Sequence, residues 1–207
     1  MTRSILAALA AAVTVTVVSG TGCNATGVGD PCIPEAEYST SFLGFDVKEV
    51  NVESKSFQCQ TRLCLANHFQ GRVTCPYGQD KSGAPFPPAT KACFTPIGQA
   101  IDGKDPTTGA VPASGIGVQP QCSNRTADKA VYCSCRCADV DGNKPADQVF
   151  CDCPTGFSCT QLVSSIGATD SGLTGAYCVR SGTEYDSSAG CPFCDPTTAN
   201  CGHAQGI

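Results

Sequence analysis

Ala127-Asp-Lys-Ala-Val-Tyr-Cys-Ser-Cys-Arg-Cys-Ala138 and Ala146-Asp-Gln-Val-Phe-Cys-Asp-Cys153 echo one another, with Cys133 and Cys135 mapping onto Cys151 and Cys153 at an offset of 18 residues. In each copy an aromatic residue stands before a pair of alternate cysteines. Side chains two apart on a strand share a face. Cys133, Cys135 and Cys137 are therefore expected to point together toward partners elsewhere, without bridging one another. Asp139-Val-Asp-Gly-Asn-Lys-Pro145, between the copies, is turn-rich. Two strands around such a turn predict an antiparallel hairpin. Gly175-Ala-Tyr-Cys-Val179 repeats the aromatic-cysteine pair and reads as a third strand. Two copies do not make a solenoid.

Upstream, Phe45 to Phe57 carries Val47, Val50 and Val52 among polar residues, which predicts one or two short strands. Cys59, Cys64 and Cys75 cluster around Leu63, Leu65 and Phe69. The stretch 76–121 is different, with Pro85, Pro87, Pro88, Pro96, Pro106, Pro112 and many glycines, and only Cys93 inside it. It reads as loops, with one short strand near Cys93, and as the most mobile part of the chain. The organisation expected is a leader over 1–22, a flexible tether over 23–40, a stapled module over 41–121, a β-hairpin module over 122–180 and a cysteine-containing tail over 181–207. The fold class that follows is small, disulfide-rich, mainly β and irregular. Its antiparallel strands are short, its loops long and its helix content low.

The leader is read from its order. Arg3 is followed by an uncharged run from Ile5 to Val18 and then by small residues up to Cys23. Charge, apolar run and small-residue exit make a secretory signal peptide. A spanning helix needs roughly 20 apolar residues, more than this run offers. Removing residues 1–22 from 207 leaves 185, with 12 basic residues against 18 acidic ones once Arg3 is gone. The remainder has no basic cluster, which argues against nucleic acid as a partner.

Cysteine usage sets the compartment. Seventeen cysteines in an exported chain read as a disulfide scaffold. If Cys23 is set apart, sixteen remain: Cys32, Cys59, Cys64, Cys75, Cys93, Cys122, Cys133, Cys135, Cys137, Cys151, Cys153, Cys159, Cys178, Cys191, Cys194 and Cys201. Those are enough for eight bridges, with the connectivity left open. There is no Trp, and the single Met is Met1. Crosslinks worth roughly 2–4 kcal/mol each would therefore carry much of the stability.

The junction Gly20-Thr-Gly-Cys23 resembles the lipoprotein signals of bacteria, in which a small residue precedes the lipidated cysteine. Gly20 stands where those signals usually have an aliphatic residue. Ordinary signal cleavage, with Gly20 and Gly22 as the small residues, is the alternative. As a whole the chain resembles a Cys-rich lipoprotein of the Gram-negative envelope. The resemblance implies acyl chains on Cys23 as the membrane link. Asn24, in place of an Asp that would retain the protein at the inner membrane, implies the outer membrane. No cofactor is implied, and any further partner is a protein or an envelope polymer.

Other motifs carry less. Cys191-Pro-Phe-Cys194 resembles the C-P-aromatic-C of glutaredoxin and periplasmic disulfide oxidoreductases, but Asp195-Pro196 follows at once and opposes a helix there. Cys191, Cys194, Cys201 and His203 offer a Cys₃His zinc set. That makes a metal or redox protein the second reading, and a soluble secreted inhibitor-like scaffold the third. Asp139-x-Asp141-x-Asn143 begins like a calcium loop, but Lys144 and Phe150 occupy the positions that need Gly and Glu. Cys151-Asp-Cys-Pro-Thr-Gly-Phe157 resembles the end of an epidermal-growth-factor-like module over seven residues only. His68 reads as a packed or surface histidine, and no nucleophile or phosphate-loop motif is present. The expectation is a non-enzymatic protein.

Overall fold

The structure, a computed structural model, describes residues 27–85, 93–101, 117–163, 173–195 and 201. Cys23, His203 and much of the proline-rich stretch lie outside the described residues. Two small antiparallel sheets organise the rest. In the first, β1 (Val50–Glu53), β2 (Leu63–Asn67) and β3 (Val131–Ser134) lie in that order. In the second, β4 (Arg136–Ala138) and β5 (Phe157–Val163) flank a central β6 (Gly175–Arg180). The described residues include a single short helix, α1 (Ala127–Ala130).

Alternation along β2 and β3 explains where the core sits. Cys64 and Ala66 share a face with Cys133 and Val131, and that face packs on Phe45, Phe69 and Ala130. Leu65 and its cross-strand partner Tyr132 occupy the opposite face and meet Val179 and Phe157 of the second sheet. The Tyr132 and Phe157 rings lie edge to face at 5.6 Å, and the Tyr132 hydroxyl accepts the Arg180 amide at 2.9 Å. The Arg180 guanidinium stands over both rings. Strands β3 and β4 are consecutive, so the chain changes sheet at Cys135, whose carbonyl accepts the Cys178 amide at 3.1 Å.

All sixteen described cysteines are paired: Cys32–Cys64, Cys59–Cys133, Cys75–Cys93, Cys122–Cys191, Cys135–Cys151, Cys137–Cys159, Cys153–Cys178 and Cys194–Cys201. Cys133, Cys135 and Cys137 do not bridge one another. They are not on one strand, however. The break at Cys135 sends Cys133 into the first core and Cys135 and Cys137 into the second. This disulfide content is that of an extracellular or exported protein. No helix among the described residues is long and apolar enough to cross a membrane.

Three further expectations are corrected. The hairpin between the two echoing copies does not form. The second copy has no strand, Val149 projects into solvent, and its Cys151 amide makes one bond, to the Arg136 carbonyl. β6 supplies the ladder partner for β4 instead, because Gly175–Arg180 buries five successive residues, which the polar second copy cannot. The turn at Asp139 does form, its carboxylate accepting the Asp141 and Asn143 amides at 3.0 and 2.7 Å.

The second correction concerns the tether. From Gly27 onward that segment is part of the fold. The Gly29 amide donates to the Cys133 carbonyl and the Cys133 amide to the Asp30 carbonyl, both at 2.8 Å. Cys32 is bridged to Cys64, and Glu35–Tyr38 forms a 3₁₀ turn. The third correction is that 121/122 is no boundary. The β2–β3 ladder and the Cys59–Cys133 bridge cross it. Buried Gln121 donates to the Arg72 carbonyl at 2.8 Å, and its own carbonyl accepts the Cys194 amide at 2.7 Å.

That 3₁₀ turn brings in the one buried ion pair among the described residues. Glu37 and Arg72 have side chains with 0% exposure, Nε to Oε2 being 3.2 Å. Arg72 also donates to the carbonyls of Ser39 and Phe42, and Glu37 accepts the Val73 amide and the Thr74 hydroxyl, each at 2.8 Å. Burial lowers the Arg72 pKa from its ordinary value, and the Glu37 charge opposes that shift. Next to it, Gly71 exchanges two backbone hydrogen bonds with Phe45 at positive φ, and a Cβ there would stand 2.2 Å from the Gln119 carbonyl oxygen. Replacing Glu37 by Ala strands a buried guanidinium and is expected to cost about 3–5 kcal/mol. A denaturant titration with the disulfides intact measures it, and Glu37→Gln, which keeps an acceptor, should lose less.

Candidate groove and cystine cluster

A solvent-open groove of about 750 Å³ runs beside the point where the chain changes sheet. Ser54 and Thr61 of the β1–β2 connection and the segment 148–151 line it. Cys135, bridged to Cys151, and Arg136 also contribute to its lining. The Arg136 guanidinium stands 4.7 Å from the centre of the Phe150 ring and is hydrogen-bonded to the Gln148 side chain. The groove therefore offers a cation, an aromatic face, an amide and a disulfide. That chemistry suits recognition of a polar-apolar surface.

Around Cys135 the sulfurs are crowded. Cys178 Sγ lies 3.6 Å from both Cys135 Sγ and Cys151 Sγ, so the Cys135–Cys151 and Cys153–Cys178 bridges touch. Cys137, Cys153 and Cys178 form a second close set, and Cys32, Cys59 and Cys133 a third. All of these sulfurs are in disulfides, and only reduction would free them for a thiophilic ion. Sequence reasoning placed its metal candidates at the other end of the chain. There Cys191 is bonded to Cys122, and Cys194 to Cys201, so the two cysteines of the C-P-F-C motif do not bridge each other. His203, the fourth member of that set, lies outside the described residues, as does Cys23.

His68 is packed. It follows β2 with a left-handed φ of 50°, its Nδ1 is 3.0 Å from the Val47 carbonyl oxygen, and its ring stacks on Tyr185 at 4.0 Å. Arg125 locks the surroundings by donating to the carbonyls of Asn67, His68 and Thr183, each at 2.6 Å. Burial lowers the imidazole pKa from its ordinary 6.5. The Val47 hydrogen bond opposes the shift, and the Arg125 charge adds to it. The neutral ring's stabilising contribution is thus complete above pH 6.5 and is lost as pH falls through the depressed folded-state value. His68→Asn keeps an amide donor and tolerates this backbone conformation. It should flatten the fall in thermal midpoint between pH values of about 7.5 and 5.5, read by circular dichroism.

Comparison with known proteins gives no further guide: no protein-family model matches this chain, and no curated protein and no solved structure matches it.

Proposed function

We propose that the chain is exported, cut before Cys23, lipidated there, and held at the outer membrane of a Gram-negative envelope as a non-enzymatic scaffold. Its ectodomain would present a rigid surface to a protein or envelope polymer. One observation carries the reading. The sixteen described cysteines are all consumed by one another, so the seventeenth, Cys23, has no cysteine left in the chain to pair with. An unpaired cysteine in an exported protein calls for a chemical fate. The small-residue junction ending at Cys23 supplies one, since its thiol can take a diacylglyceryl group and its freed amine a third chain. Several chains together anchor firmly, where one gives marginal binding.

The cystine framework fits that exposed setting. Short sheets joined by crosslinks keep a surface fixed without a large core and restrict the opening that proteases need. Intact mass of the native protein, unreduced, tests the assignment. The expected species is residues 23–207 plus acyl chains, two hydrogens lighter for each of the eight bridges and unreactive to alkylation. An unacylated chain with one alkylatable thiol would leave a soluble secreted scaffold instead. Cys23→Ser is expected to move the protein from the membrane fraction to the soluble one without changing the bridge count.

A further inference from the structure

The β1–β2 connection is pinned in place, yet its tip exposes a phenylalanine. Gln58 exchanges two hydrogen bonds with the Ile33 backbone, at 3.0 and 2.9 Å, and Cys59 is bridged to Cys133. The Ser56 amide donates to the Arg62 carbonyl at 3.1 Å, and the Arg62 amide to the Cys59 carbonyl at 2.9 Å. Ser56 is buried, whereas Phe57 beside it is 88% exposed. Loop mobility does not account for an aromatic held outward by that many constraints. Val149, which lines the same groove as Ser54 and Thr61, is 95% exposed. The two most exposed large apolar side chains among the described residues thus sit in two segments, the β1–β2 connection and 148–151, that both contribute to one groove.

The chain's own entry point lies on this side. Gly27 packs against the connection, a Cβ built on it lying 3.4 Å from Gln60 Cβ. Only Asn24, Ala25 and Thr26 separate it from Cys23, so the two are at most about 14 Å apart. Acyl chains on Cys23 would therefore keep Gln60, and the connection that carries Phe57, close to the membrane surface. The flanking charges suit that place. Lys55 is exposed, and the Arg62 guanidinium stands 4.7 Å from the centre of the Phe57 ring. A cation above an aromatic ring can meet phosphate while the ring enters the acyl boundary. Asp30 stands at the same entry, and Lys144 pairs at 2.7 Å with Asp152, next in sequence to the groove residue Cys151. The side is therefore no broad positive field, and the apolar contact is the specific element.

We propose that an apolar rim made by the β1–β2 connection, with Phe57, Lys55 and Arg62, and by the 148–151 segment, with Val149, is the surface by which the anchored protein rests on the phospholipid bilayer. The inference depends on the lipid anchor at Cys23. The acyl chains supply the affinity, and the rim sets the orientation.

The sequence contains no Trp, so each introduced indole is a clean reporter. Phe57→Trp, Val149→Trp and, as a control, Ile97→Trp are purified from membranes as full mature chains. They are then reconstituted into phosphatidylethanolamine–phosphatidylglycerol vesicles containing bromine-labelled lipid. Ile97 is 63% exposed, in the separate segment 93–101 that the Cys75–Cys93 bridge ties down. The rim indoles, placed at the shallow depth of an interfacial contact, should be quenched about threefold more strongly than the control and emit at shorter wavelength. The acyl mass is read on the same samples. Acylated protein whose rim indoles are quenched no more than the control overturns the orientation and leaves the anchor standing. Protein without acyl chains overturns both.

Discussion

The passage of the chain through Cys133-Ser-Cys-Arg-Cys137 holds the molecule together. Here one run of residues leaves the first sheet and enters the second, and each of three alternate cysteines is tied to a different partner, Cys59, Cys151 and Cys159. A three-stranded sheet with strands of three to seven residues has only a marginal core by itself. Two such sheets share a larger one, if their facing side chains are brought into register. The crossing strand does so by placing Tyr132 between Leu65 on one side and Val179 and Phe157 on the other. The crosslinks and the small inter-sheet core are mutually dependent. The bridges limit the unfolded ensemble, and the core decides which bridges have the right geometry to close.

Sequence patterning carried the class of the fold and failed on its adjacency, for a definable reason. Cysteine density, the lack of long apolar runs and the valine-bearing segment before Cys59 were enough to expect short antiparallel strands stapled by disulfides. The aromatic-cysteine pair at Tyr177 and Cys178 correctly marked a strand, β6. The internal echo was misleading about which strands pair. Similarity between two segments reports shared local chemistry, whereas ladder partners are chosen by burial over the whole chain. Gly175–Arg180 could be covered on both faces, and Ala146–Cys153, with Asp147, Gln148 and Asp152, could not.

The candidate groove was hardly legible. Its lining comes from residues far apart in sequence, Ser54 and Thr61 together with Gln148 to Cys151. No local motif announces that meeting. The Glu37–Arg72 pair was hidden for the same reason. Glu37 sits in Pro34-Glu-Ala-Glu-Tyr38, where alternate carboxylates look like an ordinary solvated loop. Only the return of Arg72 beneath that turn makes one of them interior. Burial of a charge is a property of the partner's position, and single-sequence patterning does not contain it.

The early segment shows how such an error bears on function. Small polar residues after Cys23 suggested a spacer, and a spacer of eighteen residues would let the domain rotate freely at a distance from any surface it was tied to. The backbone exchange between Gly29, Asp30 and Cys133, with the Cys32–Cys64 bridge, removes that freedom from Gly27 onward. Three intervening residues cannot act as a long flexible leash. Any group fixed to Cys23 therefore constrains where the rest of the domain can be, and the side of the fold nearest Gly27 becomes the side nearest that group. The disulfides extend the constraint through the molecule, because a crosslinked domain turns as one body. A lipid on Cys23 would thus dictate which loops face outward, and the scaffold's rigidity would keep them there.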